Sequence, residues 1–169
     1  ARAEKKALRA LTSVTLSINE KIPPAFVGID WSLSWREGKT IAGKKLFTER
    51  GCIACHLAPD DGKGGSIGPS LVAVHTRFSP QYLAESILLP NRFVSPNFHP
   101  TTLTMKDKSV HIGFIEKDGD EIDLRIITGT VVKLVGEQVA KRTTSHQSMM
   151  PAGLVQSPKE MNHLLAYML

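Results

Sequence analysis

Five consecutive residues, Cys52-Ile53-Ala54-Cys55-His56, carry the pattern C-x-x-C-H. Two thiols at this spacing can each add to one vinyl group of the same porphyrin. The imidazole of the next residue is then held beneath the ring, where a nitrogen can bind the iron. The chemistry so read is covalent attachment of one c-type haem through Cys52 and Cys55, with His56 as its first axial ligand. Other uses of a C-x-x-C pair fit less well. A zinc site wants a second ligand pair at close spacing, yet these are the sequence's two cysteines and no His-x(3–5)-His follows. A thioredoxin-like redox pair wants a βαβ context, and the residues before Cys52 read as helix.

An iron bound from one side asks for a second ligand. Thioether sulfur is offered by Met105, Met149 and Met150, and imidazole by His75, His99, His111, His146 and His163. Met105 lies near a strand edge, His111 within a strand and His163 within the final helix, where structural roles are expected. Met150-Pro151 stands in a loop before that helix. The proline restricts Met150 to extended angles, and a rigid loop suits a weak ligand.

The elements that must position these groups are helical at both ends. Leu8, Leu11, Val14 and Ile18 recur at helical spacing until Pro23-Pro24. Ser34-Trp35-Arg36-Glu37 has the form of a capping box. It opens a helix with Ile41, Leu46 and Phe47 near one face, released at Gly51 into the cysteine motif. Ser79-Pro80 caps a second helix, with Leu83, Ile87 and Leu88 inward. Ser157-Pro158-Lys159-Glu160 caps the last, with the stripe Met161, Leu164, Leu165 and Met168.

Between about residues 101 and 144 the period changes. Val110–Ile115, Ile122–Ile126, Val131–Val135 and Val139–Thr143 alternate or run β-rich, with turn signals at Asp118-Gly119-Asp120 and Thr128-Gly129. Three or four short antiparallel strands are expected, as a structural insertion.

The length allows one domain with an extension. Residues 1–33 read as an N-terminal extension or linker, and 34–169 as the haem domain. No apolar run approaches the roughly 18 residues of a membrane helix. The formal charge of +5 is scattered rather than clustered, so it reads as solvated surface and not as a nucleic-acid footprint. The sequence starts without Met or a signal pattern, which suggests a mature form or a fragment. Haem attachment of this type implies a periplasmic or otherwise extracytoplasmic place.

The chain resembles class I cytochromes c. The resemblance rests on Cys52, Cys55 and His56, on Gly68-Pro69-Ser70-Leu71, on Met150-Pro151 and on the terminal helices. It implies a mainly α fold: the family's helical core with a small antiparallel sheet inserted before the distal methionine loop. It also implies that Pro69 offers its carbonyl to the proximal imidazole and that Leu71 borders the haem. Gly43 and Phe47 of the first helix would meet Tyr167 of the last, and Met150 would be the distal ligand, with Met149 as fallback. A narrower resemblance covers most of residues 35–169. It is to the haem-binding domain at the C-terminus of large secreted or periplasmic dehydrogenase-like proteins of planctomycetes and relatives. There a sheet-forming segment precedes a Ser-x-Met-Pro sequence, here Ser148-Met149-Met150-Pro151, and a Lys-Asp-Gly turn stands where this chain has Lys106-Asp107-Lys108.

The function these readings imply is one-electron transfer by a six-coordinate haem, not catalysis, with a redox protein or a dehydrogenase domain as partner. Two other classes stay open at this stage. If the Met150 loop detaches, the iron becomes a site for peroxide or diatomic gases, as in a haem enzyme or sensor. If the sheet insertion binds a partner, the chain is a docking module. Arg77, Arg92 and Trp35 are candidates to donate to the haem propionates.

Overall fold

The computed structural model describes residues 21–169. The helical pattern read at the very start of the chain falls outside them. The described chain opens with a 3-10 turn at Pro24–Phe26 and a short helix α1 (Trp31–Ser34), capped by the Asp30 carboxylate on Ser32 N–H. A 3-10 turn at Trp35–Glu37 follows, then α2 (Thr40–Glu49). The capping box expected at Ser34 does not form. Ser34 ends α1 instead, and its Oγ is buried without a hydrogen-bond partner. The reason lies downstream. Gly38 presses so closely on the backbone of the last helix, α4 (Pro158–Met168), that a methyl there would collide with Asn162 O. The new helix starts past that contact, where His163 Nδ1 accepts from Lys39 N–H at 3.0 Å.

Helices α2 and α4 cross at Gly43. A side chain at that position would run into the carbonyl of His163 and the Cβ of Tyr167. One turn on, Phe47 meets the Tyr167 ring edge-on, with centroids 5.6 Å apart. The buried stripe of α2 is therefore Gly43 and Phe47, four residues apart as a helix face requires. Ile41, expected on that face, is 88% exposed. Helix α3 (Pro80–Leu88) starts as the sequence suggests, with Ser79 Oγ accepting from Tyr82 N–H at 3.2 Å. It adds Leu83, Ala84 and Leu88 to a core shared with Met161, Leu164 and Leu165 of α4. Phe26 and Trp31 lie in the same core. At α4, Ser157 Oγ accepts from Glu160 N–H, while the Glu160 carboxylate accepts from Gln156 N–H rather than closing the box on Ser157.

The mainly α expectation is overturned. Among the described residues about a third are helical and about a fifth lie in strands, and the strands form one five-stranded antiparallel sheet. Its members are β1 (Thr101–Met105), β2 (Val110–Lys117), β3 (Glu121–Ile126), β4 (Val131–Val135) and β5 (Val139–Thr144), in the order β4-β3-β2-β1-β5. The strand outside the four sequence runs is β1. Its Thr-Thr-Leu-Thr-Met alternation turns Leu103 and Met105 inward, and it pairs with both β2 and β5. In a flat sheet β4 and β5 would stand about 19 Å apart, four spacings of about 4.8 Å. Yet only a 3-10 turn, Gly136–Gln138, joins them, at about 2 Å rise per residue. The sheet must therefore curl. Lys106 N–H to Gln138 O extends the β1–β5 ladder, and the Arg142 guanidinium of β5 reaches across to Asp118 in the β2–β3 turn, at 2.6 and 2.8 Å. The curl encloses a second core of Leu103, Met105, Ile122 and Leu124, separate from the helical one. A segment with its own core is more than an appendage on a helical frame. Lys108 sits at φ +72° in the β1–β2 turn, a backbone conformation that favours glycine.

Candidate functional site

After Gly51 the chain makes a 3-10 turn over Cys52–Ala54. Cys55 N–H and His56 N–H both donate to Cys52 O, at 3.1 and 2.9 Å. One turn of helix thus carries Cys52, Cys55 and His56, and residues three and four apart on such a turn share a face. Both cysteines are half-buried free thiols. Burial pushes the Cys52 thiol above its ordinary pKa.

The loop that follows is laced back onto this turn. Gly65 N–H donates to Ile53 O, Gly68 N–H to Cys55 O and Leu71 N–H to Leu57 O. The loop thereby brings the Pro69 carbonyl 2.7 Å from His56 Nδ1. A carbonyl only accepts, so Nδ1 carries the proton and Nε2 keeps its lone pair. Burial holds the imidazole below its usual pKa, against the pull of the Pro69 carbonyl. Gly68 makes this approach feasible. A Cβ there would stand 2.8 Å from Cε1 and 2.9 Å from Nδ1 of His56.

These residues fit a covalently held haem. Two unpaired thiols share a turn, a neutral imidazole has its outer nitrogen free, and the chain behind the imidazole bears no side chain. Past the half-buried Leu71, Val72, Phe78 and Tyr82 leave apolar surface exposed, with Phe78 and Tyr82 stacked at 4.7 Å. Such surface suits the face of a porphyrin.

The other sequence candidates separate. Met150 lies half-buried between β5 and α4. Its N–H donates to Ser148 Oγ at 3.0 Å, and Ser148 N–H donates to Asn91 Oδ1 at 2.7 Å, just past α3. Met149 beside it is exposed. Met105 is buried in the sheet core, and His163 Nδ1 is occupied by Lys39. His99 and His146 meet edge-on at 4.6 Å, and His111 lies on β2. His75 is exposed. Arg77 donates to the carbonyls of Ser70 and Val72, Arg92 pairs with Glu85, and Trp35 carries the guanidinium of Arg36 over its ring.

Two groupings near the site escaped the sequence. Asp60, in the loop after His56, accepts from the Tyr167 hydroxyl and from Lys44 Nζ, both at 2.6 Å. This ties the loop to α4 and α2 together. The Lys44 bond first, then the Tyr167 bond, hold the Asp60 carboxyl down at about 2. Burial first, then Asp60, push Tyr167 well above its ordinary value. The second grouping is Arg125 of β3, whose guanidinium donates to Ser66 O.

Residues 41–122 match the family model described as Cytochrome c. The match spans just under half of the chain. It takes in α2, the cysteine–histidine turn, the Pro69 loop and α3, and it ends within the sheet at Ile122. It supports a cytochrome c family for this chain, with the covalent c-type haem and haem-based electron transfer that such a family implies. The cytochrome c match stops short of Met150 and α4. No curated protein matches the sequence. Among the described residues no helix is long and apolar enough to cross a membrane.

Proposed function

We propose that this chain carries single electrons on one haem c, attached through Cys52 and Cys55 and ligated by His56 and Met150. The observation that carries the reading is the His56 Nδ1 to Pro69 O hydrogen bond beside two free thiols on one turn. The bound haem would supply the redox-active iron. Everything else falls to the chain. The Pro69 carbonyl fixes the imidazole tautomer and raises its basicity. Gly68 keeps the ring's back face clear. Val72, Phe78 and Tyr82 would help to exclude water from a bound macrocycle, with Leu71 at its border. The Ser148–Asn91 bond holds the Met150 segment to the end of α3. A metal gripped from both sides changes oxidation state with little rearrangement, and methionine opposite histidine raises the potential relative to two histidines.

Residues 34–169 would be the haem-carrying unit, with 101–144 inserted. The electron donor would be a dehydrogenase or another redox protein outside the cytoplasm, in keeping with the narrower resemblance to dehydrogenase-linked haem domains. Optical spectroscopy of the purified, haem-loaded protein tests the reading. A low-spin ferric spectrum with the weak far-red band of sulfur ligation is expected, together with reversible one-electron reduction. A high-spin resting spectrum that shifts on adding cyanide or peroxide would favour a haem enzyme or sensor instead.

A further inference from the structure

The curled sheet meets the loop before Pro69 at Ser66. Arg125 projects from β3 and donates to the carbonyl of Ser66. Its Nε lies 2.7 Å from Glu116 of β2, and its guanidinium stands 5.9 Å from the centroid of the buried Phe114 ring. The arginine is therefore held at three points, and its side chain is only 19% exposed. The β3–β4 turn comes to the same place, since a Cβ at Gly129 would stand 3.0 Å from Ser66 Oγ. Ser66 is followed by the buried Ile67, then by Gly68 and Pro69, whose carbonyl orients His56.

We propose that Arg125, braced by Glu116 and Phe114, is a positioning residue for the proximal histidine. It clamps Ser66 and so holds the Pro69 carbonyl on His56 Nδ1. The inserted sheet, which runs directly into the Met150 segment in sequence, then also acts on the loop that carries Pro69. This rests on the haem reading above.

A cation near the haem disfavours the ferric state, so simple loss of the Arg125 charge would lower the potential. Loosening the Pro69 bond makes the imidazole a poorer donor to ferric iron, which raises it. The two effects oppose one another and can be told apart. A planar guanidinium can face the Ser66 carbonyl and the Glu116 carboxylate at once, which the single ammonium of lysine cannot reproduce.

The test uses the haem-loaded full chain with Arg125→Met and, as a milder change, Arg125→Lys. Two quantities are read: the midpoint potential, and the hydrogen-exchange rate of the Gly68 amide, which is bonded to Cys55 O. The expected result is a higher potential in Arg125→Lys, which keeps the charge, with Gly68 exchange at least tenfold faster in both variants while amides in α2 and α4 keep their rates. A lower or unchanged potential in Arg125→Lys, or Gly68 exchange at the parent rate in either variant, overturns the proposal. A parent protein that carries no covalent haem defeats the functional reading, and this proposal with it. A loaded parent whose variants keep its potential defeats this proposal alone.

Discussion

His56 and Pro69 are joined by a 2.7 Å hydrogen bond from Nδ1–H to a backbone carbonyl, although thirteen positions separate them in the chain. The bond decides which imidazole nitrogen is left to bind metal. It forms because Gly68 lets the loop lie flat against the ring.

Gly68→Ala should break that fit. Its methyl would stand within 3 Å of the imidazole and 3.1 Å from Cys55 O, so ring or loop must move. A loss of about 1–3 kcal/mol is expected, as for other overpacked sites. The potential should rise as the Pro69 bond loosens. Chemical denaturation and a redox titration read the two effects. A variant matching the parent in both would mean that the contact is not tight.

Gly43→Ala sets two effects against each other. Alanine gains about 1 kcal/mol over glycine in a helix interior. Here its methyl would collide with the His163 carbonyl, a backbone atom that cannot step aside alone. Overpacking costs typically about 1–3 kcal/mol, and the backbone clash puts this site at the upper end. Net destabilisation is expected, larger for Gly43→Val. A thermal melt in which Gly43→Ala is more stable than the parent would contradict the close helix crossing.

The Asp60 bonds predict an acid dependence. Its carboxyl is depressed from 3.8 to about 2 in the folded chain. A depressed carboxyl contributes stability that is complete above the unfolded value and is lost as pH falls through the folded one. Asp60→Asn should therefore melt below the parent at pH 6, and the gap should close between about pH 4 and pH 2. A gap that is constant across that range would show that the Lys44 and Tyr167 contacts do not stabilise the ionised form.

Met150→Ala should convert the low-spin spectrum to high-spin and lower the potential, since methionine opposite histidine raises it. Met149→Ala should leave the spectrum unchanged. The reverse pattern would assign the distal sulfur to Met149. If neither variant changes the spectrum, a histidine is the ligand.

The turn that carries the cysteines and His56 was legible because it is local. Cys52, Cys55 and His56 lie on one turn, and Ser79 and Ser157 cap the helices that directly follow them. The failures were of long range. Ser34 has the right neighbours for a capping box, yet Gly38 is pinned by Asn162, more than a hundred residues away. Ile41 fits an apolar stripe, but the crossing with α4 turns Gly43 inward in its place. Strand β1 was obscured by its threonines, whose alternation has meaning only once β2 and β5 flank it. Arg125 gave no local signal, because its role depends on a curl in the sheet that brings it to Ser66. Lys108 likewise gave no local signal of its own, and its φ of +72° emerges only in the β1–β2 turn.

The most direct measurement is the intact mass of the chain after expression with a haem-ligation system, beside the variant Cys52→Ala with Cys55→Ala. The account predicts a parent heavier than its polypeptide by one haem, which acid solvent cannot extract, and a variant at bare polypeptide mass. A parent at bare polypeptide mass, or a variant that still holds haem covalently, would contradict it.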